Sequence, residues 1–144
     1  MKRSLSSLSL ALFVLTSCGP APLPTAPEGP PQVVLPSTYE WITPAQAEQL
    51  IASNQDLKIA DVRSETEFHH PAGRIPKALL APYLRGNQRY LEQWDKASPW
   101  LVYCALGPRS ELTAADMAVM GFQKVYLLKG GFNAWLAAGL PVEK

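Results

Sequence analysis

The chain has 144 residues, of which 47% are hydrophobic, and a formal net charge of +1. That is room for one ordinary domain with its own core, and no charge run marks a nucleic-acid surface or an acidic tail. Two cysteines, Cys18 and Cys104, permit one disulfide at most and exclude a disulfide-stapled scaffold.

In chain order, Lys2 and Arg3 precede an apolar stretch from Leu8 to Leu15. This is the charged and hydrophobic pattern of a secretory signal, too short for a spanning helix, which needs about 20 apolar residues. Leu15-Thr16-Ser17-Cys18 follows and resembles the bacterial lipobox, an aliphatic residue and two small ones before a lipidated cysteine. The resemblance implies that residues 1–17 are a removed lipoprotein signal peptide and that Cys18 carries the lipid. An ordinary cleaved signal, with Cys18 incidental, is the other reading. Each buried CH2 of an acyl chain contributes roughly 0.8 kcal/mol, so a multiply acylated cysteine anchors stably. Gly19, rather than Asp, follows Cys18. That resembles outer-membrane sorting, facing the periplasm in a host with two membranes. The expected location is thus the cell envelope, with the lipid as the only membrane attachment.

Half of the fourteen prolines lie between Pro20 and Pro36. Proline fixes φ and removes amide donors, so residues 18–37 read as the lipidated cysteine and an extended tether, at about 3.1 Å per residue.

From residue 38 to 144 the composition becomes that of a folded domain. Thr43-Pro44-Ala45-Gln46 is a helix start, with a capping Thr, Pro at the first helical position and Gln three residues after the cap. Ala47, Leu50 and Ile51 continue it. Leu57 to Val62 reads as a short buried strand running into Asp61-Val62-Arg63. Ser64 to His69 suits one or two helical turns led by acidic residues. Ala78 to Ala81 is a second apolar run, and Leu91, Trp94 and Ala97 suggest another helix. Trp100 to Tyr103 is a strand followed directly by Cys104. A helix with a stripe of Leu112, Ala115, Met117, Val119 and Met120 stops at Gly121. Val125 to Leu128 is the last strand, and Gly130-Gly131 turns into a final helix that contains a core Trp135 and stops at Gly139. Strands alternating with helices predict an α/β fold, a parallel central sheet with helices on both faces. Sites in such sheets form at the carboxyl ends of strands, which is where Cys104 stands.

The segment Cys104-Ala105-Leu106-Gly107-Pro108-Arg109-Ser110 joins that strand to the next helix. Amides in a first helical turn lack intrahelical partners, and with the helix dipole they favour negative charge. A thiol there loses its proton more easily than a free cysteine, and the thiolate is the nucleophile. Gly107 lets the loop curl, and Arg109 adds a cation for an anionic substrate. An inert core cysteine is the competing reading, but it gives no reason for Gly107 and Arg109 at these offsets. A phosphatase loop needs Cys-x5-Arg, whereas here four residues separate the two and Ser110 stands at the required place. His69-His70 is a solvated pair rather than a metal site, since adjacent histidines diverge and no further ligands accompany them.

Three segments together identify a resemblance. Cys104, Gly107, Arg109 and Ser110 match the Cys-x-x-Gly-x-Arg-Ser pattern of the rhodanese family. Asp61-Val62-Arg63 with Glu67-Phe68 and Gly73-Arg74-Ile75-Pro76-Lys77-Ala78 is similar to its "DVR…EF…GHIPGA" segment. Gly130-Gly131-Phe132-Asn133-Ala134-Trp135 through Ala138-Gly139-Leu140-Pro141-Val142 is similar to its "GGxxAW…AGLPV" helix. The resemblance implies one complete rhodanese-like domain over 38–144. Cys104 would take sulfane sulfur from thiosulfate or a persulfide donor and pass it to cyanide or a thiol. Ala105, Leu106, Gly107, Arg109 and Ser110 would bind the substrate. Arg63 and Arg74 are candidates for the site mouth, with Arg63 equally suited to pairing a carboxylate. No cofactor or metal is implied. The expected partners are small sulfur donors and acceptors, to a monomer, with an envelope protein partner left open. Pro108, lacking an amide hydrogen, and the uncharged Ala105 and Leu106 weaken the site for thiosulfate and favour a less anionic persulfide. A non-catalytic binding or sensing module of the same fold is the alternative. If Cys18 is not lipidated, a Cys18–Cys104 bridge stays open.

Overall fold

A computed structural model describes residues 39–83 and 87–144. The expected signal peptide, lipidated Cys18 and proline-rich tether lie outside the described residues.

Among the described residues, five strands and five helices alternate: β1 (Tyr39–Ile42), α1 (Pro44–Ser53), β2 (Lys58–Asp61), α2 (Glu65–Phe68), β3 (Leu79–Leu80), α3 (Gln88–Leu91), β4 (Pro99–Tyr103), α4 (Pro108–Val119), β5 (Lys124–Leu128) and α5 (Gly131–Ala137). The strands form one parallel sheet in the order β1-β5-β4-β2-β3. β4 lies at its centre, and strands at the middle of a parallel sheet are buried on both faces. β4 accordingly reads as a nearly continuous apolar run whose Trp100, Leu101, Val102 and Tyr103 are all buried.

Alternation along β4 divides the core. Leu101 and Tyr103 enter a cluster with Ala47 of α1, Phe68 of α2, and Phe132 and Trp135 of α5. Trp100, Val102 and Cys104 enter the opposite cluster, with Leu91 of α3 and Ala114 and Met117 of α4. Helices thus cover both faces, as the alternation of elements predicts. The expected start of α1 is present as well. The Thr43 hydroxyl accepts from the Gln46 amide at 3.3 Å, and the Gln46 side chain accepts from the Thr43 amide at 2.8 Å.

Two local expectations change. The stripe expected on α4 is buried only in part: Met117 is buried and Met120 half-buried, but Leu112, Ala115 and Val119 are exposed, and Ser110, Thr113 and Ala114 are buried in their stead. The tight turn from β4 fixes the phase of this helix, and that turn favours small residues beneath the loop over large ones further along. The expected helix around Leu91, Trp94 and Ala97 is a single turn, Gln88–Leu91. Trp94 instead stacks on Trp100, with centroids 4.1 Å apart.

Candidate active site

Cys104 follows the last residue of β4 and is 1% exposed. The chain then curls back. Gly107 adopts φ 136°, a conformation that disfavours side chains, and α4 starts at Pro108. A Cβ at Gly107 would meet the Trp41 ring at 3.4 Å, so β1 supplies the floor on which the loop turns. The Gly107 amide donates to Cys104 Sγ at 3.0 Å. Burial pushes the thiol pKa up, but the amides of Ser110, Gly107, Leu106 and Arg109 outweigh it and hold it below the ordinary thiol value. Pro108 is the gap in this ring of donors, because it has no amide hydrogen. The Ser110 hydroxyl closes the loop by donating to the Gly107 carbonyl at 2.6 Å, and its Oγ lies 3.9 Å from Sγ.

A second helix terminus fixes the other side of the loop. The Phe132 amide donates to the Cys104 carbonyl at 2.8 Å, and the Asn133 amide to the Ala105 carbonyl at 3.1 Å. Both carbonyls are thereby turned toward α5, which leaves the following amides free to face the sulfur. This explains Gly130-Gly131. A Cβ on Gly131 would overlap the Cys104 carbonyl oxygen and come within 2.6 Å of the Ala105 carbonyl.

A cavity of about 300 Å³ adjoins the loop, walled by Ala72, Ala105, Phe132 and Leu136, with Thr66, Glu67, His70, Asn133 and Arg63 around it. The two arginines expected to meet substrate are both engaged here. Arg63 is buried, donates through Nε and Nη2 to Asp61 at 2.6–3.0 Å and through Nη2 to the Gly73 carbonyl at 3.1 Å, and lies 4.1 Å over the Phe132 ring. Its charge is answered by Asp61, so it supports the cavity wall instead of offering a free cation. Arg109 makes a two-pronged pair with Glu67, Nη1 to Oε2 at 2.7 Å and Nη2 to Oε1 at 2.8 Å. Arg74 pairs with Glu143 and packs on Phe68, away from the cavity lining. Of the other loop residues, Ala105 lines the cavity, while Leu106 projects outward, 65% exposed.

The rhodanese-like domain model matches residues 43–138. The chain belongs to the rhodanese-like domain family. Among relatives of this family, thiosulfate sulfurtransferase GlpE of Glaesserella parasuis is 32% identical over 106 residues, 74% of this chain and 94% of that protein. A structure from Rhodopseudomonas palustris, a protein of unknown function described as a possible tyrosine phosphatase, is 34% identical with a TM-score of 0.60. It covers 73% of this chain and 85% of that one. The polysulfide-sulfur transferase homodimer of Wolinella succinogenes is 25% identical with a TM-score of 0.63, over 73% of this chain and 78% of that one.

Sequence reasoning placed the rhodanese-like loop by its motif but missed three parts of the site. Glu67 carried a local signal, since Ser64-x-x-Glu67 is a capping box. The Glu67 amide donates to the Ser64 hydroxyl at 3.2 Å, and the Ser64 amide to Glu67 Oε2 at 2.9 Å. Its pairing with Arg109, across 42 residues, had none. Neither did the role of Trp41 beneath Gly107, nor that of the α5 amides.

Proposed function

We propose that this rhodanese-like domain is a sulfurtransferase that carries sulfane sulfur as a persulfide on Cys104. The observation that carries the reading is the ring of backbone amides around Cys104 Sγ, which favours an anion on that atom. The Cys104 thiolate attacks the outer sulfur of the donor, forming a new S–S bond while the donor's own S–S bond breaks. From thiosulfate the leaving group is sulfite. From a hydropersulfide it is a thiolate. In both cases the two electrons of the broken bond depart with the leaving group, and no external oxidant is needed. The outer sulfur, now on Cys104, is the electrophile for the next nucleophile, cyanide or a thiol, which regenerates the Cys104 thiolate. Such a two-step covalent cycle has ping-pong kinetics. The names of the Glaesserella and Wolinella relatives support this class of reaction. Phosphoryl transfer fits less well, since four residues separate Cys104 from Arg109 and the Arg109 guanidinium is turned to Glu67.

The test uses the chain with Cys18→Ser, which leaves Cys104 as its one thiol. Its intact mass is recorded after thiosulfate or 2-hydroxyethyl hydropersulfide, and again after cyanide. Gain of one sulfur atom, its loss to cyanide as thiocyanate, and neither change when Cys104→Ser is added establish the reaction. A folded protein that gains sulfur from neither donor refutes it and leaves a binding module of this fold.

A further inference from the structure

Glu67 is poised to decide which donor the loop accepts. It stands on α2, lines the cavity beside Ala105, and reaches across to Arg109, the one cation carried by the segment from Cys104 to Ser110. The pair is one-third exposed on each side, so Glu67 meets both the solvent path and the loop. Arg109, together with the Ser64 amide and hydroxyl, holds the Glu67 carboxyl at about 2 against the opposing effect of burial, and it is therefore ionised at neutral pH. The second guanidinium at the cavity is balanced in the same way by Asp61. Among the described residues, the mouth of the site thus carries two guanidiniums and two carboxylates, each paired, around walls that include Ala72, Phe132 and Leu136.

A donor arriving at this mouth meets the loop amides but, among the described residues, no unpaired guanidinium. Thiosulfate brings two negative charges, and both leave again with sulfite. A hydropersulfide brings one or none and has a carbon substituent suited to an apolar wall. We infer that Glu67 is a specificity determinant which neutralises Arg109 and so selects organic hydropersulfides over thiosulfate. This rests on the sulfur-transfer reading and names its donor class. The reaction that supplies the donor is accordingly one that leaves sulfane sulfur on an organic thiol.

Glu67→Gln separates charge from structure. Glutamine serves as well as glutamate at the third position of a capping box, so α2 keeps its start, while the mouth gains one net positive charge. Second-order rates of sulfur loading on Cys104 are measured for thiosulfate and for 2-hydroxyethyl hydropersulfide, in the Cys18→Ser chain with and without Glu67→Gln. The starting chain is expected to load faster from the hydropersulfide. Glu67→Gln should raise the thiosulfate rate about tenfold, the scale of one unscreened charge contact near the surface, and change the hydropersulfide rate less than about twofold. The gain should appear in KM, fade with added salt, and vanish when Arg109→Gln is combined with Glu67→Gln. A role confined to holding the loop would instead lower both rates together. Equal changes for the two donors, or no change for thiosulfate, overturn the inference while leaving sulfur transfer intact. Loading from neither donor by the starting chain overturns both.

Discussion

Cys104 is subject to two opposed influences of different reach. Burial acts on the thiolate from every side, because low-polarity surroundings solvate an anion poorly, and by itself it would make the thiol a weaker acid. The amides of residues 106, 107, 109 and 110 act at hydrogen-bond range, and they prevail. The sign of the resulting pH dependence follows. A depressed thiol pKa keeps the thiolate, and hence the nucleophile, present at pH values where a free cysteine near 8.5 is mostly protonated. Alkylation of the Cys18→Ser chain by iodoacetamide, an uncharged reagent, should reach half its plateau rate at a lower pH than free cysteine run alongside. The shape of the profile is the readout, since the 1% exposure of Cys104 slows the absolute rate at every pH. A half-rise at or above that of free cysteine would show that burial wins and that the amide ring does not activate the sulfur. The loop motif made this residue legible in the sequence, because strand, cysteine, glycine and helix follow one another directly. The partner of Arg109 was not legible, because nothing local announces a contact between α2 and α4.

At the scale of elements, the site is a junction of two helix starts, one on each side of the sheet. The first turn of α4 faces the sulfur, and the first turn of α5 takes the carbonyls of Cys104 and Ala105. Only a residue without a Cβ lets α5 approach so closely. The glycines of the final helix therefore separate two effects. Gly131 and Gly139 both have positive φ, 60° and 68°, but nothing stands within 4 Å of a Cβ at Gly139. Gly139→Ala should cost only the backbone strain of a left-handed alanine, about 1–2 kcal/mol, and leave the alkylation rate of Cys104 unchanged. Gly131→Ala adds overlap with the loop carbonyls. It should lower the melting temperature further and slow both alkylation and sulfur loading, as the displaced carbonyls swing the amides off the sulfur. Equal effects of the two substitutions on Cys104 reactivity would mean that α5 does not set the loop. The sequence announced both glycines as punctuation. It could not announce why the first is needed, since the obstructing atoms belong to a segment 26 residues earlier.

Across the whole molecule, the alternation of β4 places the Cys104 sulfur on one face of the sheet and the Tyr103 side chain on the other. Alternating strands and helices made the parallel sheet legible, as did the apolar run of β4. The sheet order was not, because β1 finds its place beside β5 through pairing that spans most of the domain, Tyr39 with Val125 through Ile42 with Leu128. Equally hidden was the buried polar network on the Tyr103 face. The Tyr103 hydroxyl donates to Asp61 Oδ2 at 2.7 Å and accepts from the Ile75 amide at 3.2 Å, joining the ends of β2 and β4 to the segment before β3. Burial first, and then the Asp61 carboxylate, push the Tyr103 phenol far above its ordinary pKa, so it stays a neutral donor. Asp61 in turn faces Arg63, with both side chains at most 5% exposed. Tyr103→Phe preserves the ring against Phe132 and removes only the hydroxyl, leaving a buried amide unpaired and a buried carboxylate short of one donor. The expected loss is about 1–3 kcal/mol, and a domain of this size responds with roughly 4–8 °C in melting temperature per kcal/mol. Because Tyr103 and Cys104 point to opposite faces, the pH profile of Cys104 alkylation should not move at temperatures where the variant is folded. Thermal denaturation followed by circular dichroism, with that profile measured on the same protein, decides the matter. A large drop in melting temperature with an unmoved profile supports the division between faces, whereas a shifted profile would show that the two faces are coupled through the end of β4.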